Sequence, residues 1–315
     1  MFLETLLPLG KVDPGLRAPE TPMDLHAIGA DARLLEEIGY GGLVVEETKD
    51  DPFILMALAA QATTKLRIGT SVAIAFPRSP TVTAMSAWTL AKLSKGRFIL
   101  GLGTQVKAHI ERRYGMPWSP AGPWMREYVH AVRAVWDCWQ NGTPLDVKGP
   151  HYNINLMVPL FNPGPIEHPR IPIQIAAVNA LMCQVAGEVA EGIRPHPVCT
   201  PSYIEQVMLP AVRAGAAKTG RSLDDFQVGM KPLVAVAANE AELAPKVLKR
   251  RRWISPACGR HQAARRRRRA AAPRLPASFP LAKAKRPERL PPAAREIGLA
   301  VLLPGPASRP EAASL

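Results

Sequence analysis

Five stretches of this chain end a hydrophobic run on residues suited to holding a flat ligand or moving a proton. They are Glu46-Glu47-Thr48, Ser71-Val72, Gly101-Leu102-Gly103-Thr104, Ala176-Ala177-Val178-Asn179 and Arg194-Pro195-His196. Bulky side chains at strand ends would fill the mouth of a fold. Small or polar ones leave a slot for a planar ring, with backbone N–H and C=O groups as hydrogen-bonding partners. The competing reading is that glycine and alanine only relieve crowding at strand-to-helix turns. For any single strand end that reading is the better one; its recurrence along the chain favours the slot. The stretch "GTSVAIAFPRSP", Gly69 to Pro80, poses the question most sharply, because a buried strand opens there on three small residues.

The elements that position these residues alternate along residues 1–248. "FLETLLPL", "GGLVVEE", "KLRIGTSVAIAF", "RFILGLG", "IPIQIAA", "GIRPHP" and "FQVGMKPLVAVAA" read as strands. Between them "LHAIGADARLLEEIGY" sets Leu25, Ile28, Ala32, Leu35 and Ile38 on one helical face. "DPFILMALAAQA" is helical, with Asp51 as N-cap and Pro52 in the first helical position. Further helices are read in "SPTVTAMSAWTLAKLSKG", "MREYVHAVRAVWDCWQNG", "ALMCQVAGEVA" and "SYIEQVMLPAVRAGAAKTG", and another begins at "NEAELAPKVLKR". Apolar strands each followed by a helix argue a parallel sheet with right-handed crossovers. About seven strands in that rhythm favour a (β/α)8 TIM barrel over an open doubly wound sheet, whose strand ends would carry the function. No G-x-G-x-x-G follows the first strand, which argues against a dinucleotide-binding fold. The segment between Val147 and Arg170 reads as a hairpin excursion near the barrel mouth.

Composition bounds the rest. No apolar stretch approaches the ~20 residues of a membrane span, and "MFLETLLPLGKVDPG" lacks a basic start and carries Glu4 in its apolar part. Four cysteines without CxxC spacing fit reduced thiols, and a cytoplasmic location is expected. The formal charge of +14 suggests a nucleic-acid partner until it is located: 17 of the 40 Lys and Arg, but 3 of the 26 Asp and Glu, follow Leu248. The body is therefore charge-balanced and gives no sign of a polyanion partner.

"LRIGTSVAIAFPRSP" followed by "LAKLSKGRFILGLGTQ", with "HPRIPIQIAAVN" further on, resembles the bacterial-luciferase-like superfamily of flavin and deazaflavin oxidoreductases. "GLGTQVKAHIERRYGMPW" and "MREYVHAVRAVWDCWQNG" are most similar to its actinobacterial group using the deazaflavin coenzyme F420. The resemblance runs from about Phe2 to about Leu248. It implies a non-prolyl cis peptide at Ser71–Val72, beside Thr70, bulging under the cofactor ring. It also implies contacts to the cofactor tail from Gly103, Thr104 and Gln105, and from Ala177, Val178 and Asn179 at a helix start whose N–H groups attract anions. Where the group has a small-Gly pair, this chain has Ala176-Ala177, which narrows backbone approach. Lys107, His109, Arg112 and Arg113 form either a clamp for an anionic tail or a solvated helix face.

Two departures from the resembled pattern concern catalysis, and one is that this chain has Asp50-Asp51-Pro52-Phe53 where the deazaflavin group often shows His-Asp-Pro-Phe. Luciferase-type members carry Glu-His-His after the second strand, where this chain has Glu46-Glu47-Thr48. His196 is then the best remaining proton donor, since an imidazole with an ordinary pKa near ~6.5 suits a general acid at neutral pH; a core or surface histidine without a catalytic role is the alternative. Glu46 or Glu47 would hydrogen-bond the ring, or close a salt bridge with Arg78 or Lys49. The resemblance implies hydride transfer between F420 and a small organic substrate; FMN in the same slot would mean monooxygenation. A homodimer is left open.

From about Lys249 the alternation stops. The tail, residues 249–315, is rich in Arg, Ala and Pro and contains no Asp, Asn, Thr, Met or Tyr. That vocabulary is expected of GC-rich coding sequence read out of frame, so a frameshift near Leu248 that removes the proper last strand and helix is one expectation. A natural basic arm centred on Arg265–Arg269, binding polyanions by counterion release, is the other. "EIGLAVLLP" is the one candidate for an eighth strand.

Overall fold

The computed structural model describes residues 3–7, 22–197 and 199–231. In chain order the elements are β1 (Glu4–Leu7), α1 (Ile28–Glu37), β2 (Gly42–Val45), α2 (Pro52–Ala62), β3 (Arg67–Thr70), β4 (Ala73–Ile74), α3 (Pro80–Leu93), β5 (Phe98–Gly103), α4 (Lys107–Arg112) and α5 (Ala121–Asn141). There follow β6 (Val147–Lys148), β7 (Asn153–Ile154), β8 (Ile173–Ala177), α6 (Ala180–Val189), β9 (Gly192–Pro195), α7 (Pro201–Tyr203), α8 (Leu209–Thr219) and β10 (Gln227–Val228). The main sheet runs β1-β2-β3-β5-β8-β9-β10, with β4 also on β5, and every pairing in it is parallel. This is the expected α/β architecture, and the sheet is curled as in a barrel. Arg194 on β9 reaches Glu4 on β1 at 2.8 Å, and Lys231 beyond β10 reaches Glu46 at the end of β2 at 2.7 Å.

The core follows from the strand composition. All residues of β2 and β5 are buried, which is why these strands carry apolar residues on both faces. Asp51 caps α2 by accepting from the Phe53 and Ile54 N–H groups, with Pro52 next, and Ser79 caps α3 by accepting from Thr81 N–H. Gly142, at φ 72°, ends α5 in the left-handed region that glycine adopts freely. Helices α6 and α8 cross so closely that a Cβ on Gly215 would stand 2.0 Å from the Gln184 carbonyl oxygen. The insert after α5 does form an antiparallel hairpin, β6 with β7.

Three boundaries differ from the sequence reading. Helix α5 begins at Ala121 rather than near Met125, because Gly122 and Pro123 fall in the first turn, where N–H groups have no intrahelical acceptor. The helix read from Ser202 is interrupted by a π-helical turn, Ile204–Met208, just before Pro210, which cannot donate into the ladder. The strand read over 65–76 is divided between β3 and β4. No helix among the described residues is long and apolar enough to cross a membrane. The strand continuation at 233–238, the helix from Asn239, the 248/249 boundary, the basic tail and the candidate strand at 296–304 lie outside the described residues.

Candidate active site at the strand ends

The division between β3 and β4 builds the site. Gly69 pairs with Ile99 and Ala73 with Leu102, so four residues of one strand advance against three of β5. One extra residue is accommodated, which makes this a β-bulge. The Ser71–Val72 peptide within it is cis, as the resemblance implied. Thr70 repairs the interrupted ladder: its hydroxyl donates to the Gly101 carbonyl at 2.7 Å and accepts from the Gly101 N–H at 2.9 Å. A side chain at position 101 is excluded, since its Cβ would lie 1.9 Å from the Thr70 carbonyl oxygen. At Gly103 a Cβ would meet Val72 Cγ2 at 2.5 Å. The small residues that looked wasteful in a buried strand are what the bulge requires.

Charged groups converge on the bulge from three sides. Lys231 Nζ donates to the Ser71 carbonyl at 2.8 Å and to Glu46 Oε1 at 2.7 Å. Arg194, fully buried and paired with Glu4, brings Nη1 to 3.4 Å from Ser71 Oγ. Its Nε, also buried, has no hydrogen-bond partner among the described residues. On the outer side, the Glu47 N–H donates to the Val72 carbonyl, and its Oε2 accepts from the Ile74 N–H at 2.7 Å and from Arg78 at 2.6 Å. Arg78 also binds Asp51, the cap of α2. Burial alone would lower the Arg78 pKa; Glu47 and Asp51 outweigh it and raise it. Burial, and then the Glu47 charge, raise the Tyr114 phenol above its usual range. Of the two acids read from sequence, Glu47 therefore clamps the bulge through Arg78, and Glu46 is the partner of Lys231.

The remaining predicted residues surround this centre. Gly103 ends β5; Thr104 donates to the Gln105 carbonyl, and Gln105 takes φ 56°, an uncommon conformation for a non-glycine residue. Ala177 ends β8 and is buried, and Val178 is exposed with its carbonyl accepting from Tyr203. Asn179 caps α6 by accepting from the Met182 N–H at 3.0 Å, so one of the N–H groups expected to meet an anion is already engaged by this side chain. His196 follows β9, exposed to solvent, and its carbonyl accepts from Cys199 N–H. His109, Arg112 and Arg113 line a shallow depression of about 350 Å³ on α4, while Lys107 turns to Glu111 at 3.6 Å. Arg113 also donates to the Thr48 carbonyl, tying α4 to the end of β2.

Beyond the bulge stands an aromatic wall. Phe76 stacks on Trp124 at 3.8 Å between centroids, and Trp118 meets both edge-on. Glu127, which accepts from His151 and from the Tyr152 N–H, holds the hairpin tip against α5.

One observation fits a flat redox ring: cationic donors stand at the bulge, the Lys231 ammonium on the Ser71 carbonyl and Arg194 with a buried Nε unpartnered among the described residues. The Cβ positions at Gly101 and Gly103 are filled by Thr70 and Val72, so these two glycines serve the bulge itself. Sequence reasoning set Arg194 at a functional strand end without giving it a role, and missed Glu4 and Lys231. The available signal was Arg194 itself, a charge inside a strand whose neighbours are apolar, where an unpaired arginine is almost never buried.

A family model described as luciferase-like monooxygenase matches residues 6–305. Rv1360, an uncharacterized protein of Mycobacterium tuberculosis, is 42% identical over 230 residues, 73% of this chain and 68% of that one. Rv3520c of the same organism, provisionally named a coenzyme F420-dependent oxidoreductase, is 31% identical over 243 residues, 72% of this chain and 65% of that one. The solved structure of monooxygenase RslO1 from Streptomyces bottropensis superposes with a TM-score of 0.64 at 19% identity, covering 82% of this chain and 79% of that one. The last comparison speaks to fold alone, and it agrees with the curled parallel sheet described above. With the family model covering nearly the whole sequence and the bulge at Ser71–Val72 in place, this chain belongs to the luciferase-like monooxygenase family, a family of oxidoreductase enzymes.

Proposed function

We propose that this protein transfers a hydride between the deazaflavin coenzyme F420 and a small organic substrate. The observation that carries the reading is the bulge at Ser71–Val72, packed against Gly101 and Gly103 of β5 and hydrogen-bonded at Ser71 by Lys231 and Arg194. Bound there, F420 would supply a ring carbon that gives or accepts a hydride; the protein supplies orientation and exclusion of water. Thr70, Ser71 and Val72 would carry the ring, with Glu47 and Arg78 fixing the bulge from outside. Gly103, Thr104, Gln105, Ala177, Val178 and Asn179 would line its tail. His109, Arg112 and Arg113 offer positive charge to an anionic tail at the surface. His196, exposed at the end of β9, would hold and release the proton on its ring nitrogen. The relative Rv3520c supports F420 over FMN, as does Thr48 in place of a histidine. A homodimer is proposed with it, because α2 and α3 turn Ile54, Val82 and Met85 outward, 46–64% exposed. Residues 1–248 are taken as the catalytic unit.

Titration of the purified full chain with F420 and with FMN, followed by absorbance, tests the proposal. Stoichiometric F420 uptake with weak FMN binding is expected. Preferential FMN uptake coupled to oxygen consumption would replace the proposal with monooxygenation, and binding of neither would end it.

A further inference from the structure

Resting on that cofactor reading, we propose that Lys231 sets the redox preference of the site by stabilising the charge a ring gains when it accepts a hydride. A hydride brings two electrons with one proton, so its acceptor becomes more negative by one charge. The ammonium of Lys231 is fixed at the carbonyl of Ser71, the residue whose peptide forms the bulge, by a 2.8 Å hydrogen bond. Glu46, at 2.7 Å, holds it there from the other side. Both side chains are only partly exposed, Lys231 at 24% and Glu46 at 32%, so their charges are less screened than on an open surface. The second cation at Ser71, Arg194, is also ion-paired, with Glu4, but it approaches the Ser71 hydroxyl at 3.4 Å and not the peptide carbonyl. Lys231 is the cation bonded to the bulge peptide itself, and Glu46 attenuates its charge. Charge placed beside a redox ring is a means by which a protein tunes it.

A purely structural brace of the bulge would support oxidised and reduced cofactor alike; a charge role separates them. The test measures dissociation constants of oxidised and reduced cofactor, F420 and FMN in turn, for the full chain. Lys231→Met is expected to weaken the reduced form about tenfold more than the oxidised form, which lowers the two-electron potential of the bound cofactor by about 30 mV. Lys231→Arg is expected to restore it, and Glu46→Gln to move it upward. Equal weakening of both redox forms, or no rescue by arginine, overturns the inference while leaving the cofactor reading intact. If Lys231→Met binds too weakly to measure, the direction of the Glu46→Gln shift decides: upward supports the proposal, unchanged or downward overturns it. Absence of both cofactors from the wild-type protein is a separate result, which refutes the cofactor reading itself.

Discussion

Arg194 on β9 and Glu4 on β1 form a buried ion pair across the inside of the curled sheet, with Nη1 2.8 Å from Oε2 and the arginine side chain 2% exposed. Removing one partner of such a pair strands the other charge in a poorly solvated place, which costs about 3–5 kcal/mol. Glu4→Gln is therefore expected to destabilise the protein by roughly that amount. Arg194→Met is expected to cost less, because Glu4 is partly exposed and can hydrate. Urea midpoints of the two variants give the order; a larger loss for Arg194→Met would refute this account of the pair.

Thr70 and Gly101 should be inseparable. Thr70→Val keeps the shape but leaves the Gly101 N–H and C=O without the hydroxyl, at an expected cost of about 1–3 kcal/mol. Gly101→Ala forces a backbone shift and is expected to abolish cofactor binding. Gly215→Ala, which crowds α6 against α8 away from the site, should lower Tm while leaving the dissociation constant of the surviving folded protein unchanged. Calorimetry beside absorbance titration separates these outcomes.

Arg78→Lys tests the outer clamp. The guanidinium bridges Glu47, Asp51 and the Ile74 carbonyl at once, which a point-like ammonium cannot do. Cofactor affinity is expected to fall about tenfold, equivalent to ~1.4 kcal/mol. An unchanged dissociation constant would show that the clamp does not hold the bulge.

Acid stability follows from three carboxylates. Burial opposes ionisation of Glu36, but the N–H groups of Lys65, Leu66 and Thr64 outweigh it and hold the pKa below the usual 4.5. Burial is likewise outweighed at Glu127 by the His151 ring and the His151 and Tyr152 N–H groups, and at Glu188 by Arg126 and Lys218. Each folded-state pKa is depressed, so the stability these groups contribute is present above about pH 4.5 and lost as pH falls through the lowered values. Glu36→Gln is expected to lower stability at pH 7 and to flatten the decline below pH 4.5. A decline as steep as wild type would contradict the assignment.

Local chemistry made much of this fold legible. Asp51-Pro52 and Ser79-Pro80 announce helix starts through capping, which involves only near neighbours, and both helices begin where expected. Glu47 with Arg78 was a recognisable ion-pair option because both lie around the same strand ends. The ladder position of Thr70 was not legible, since the bulge exists only relative to the register of β5. The role of Asn179 was likewise hidden: whether its carboxamide meets a ligand or the Met182 N–H depends on how the chain enters α6.

The sequence alone determined the strand-helix rhythm, the small residues at the strand ends and the family, because these reside in composition and in motifs of consecutive residues. Only the tertiary structure decided what surrounds Ser71. Arg194 is 190 residues from Glu4 and Lys231 is 160 from Ser71. No propensity or spacing rule joins residues so far apart; the curl of the sheet brings them together, and burial then obliges their charges to pair.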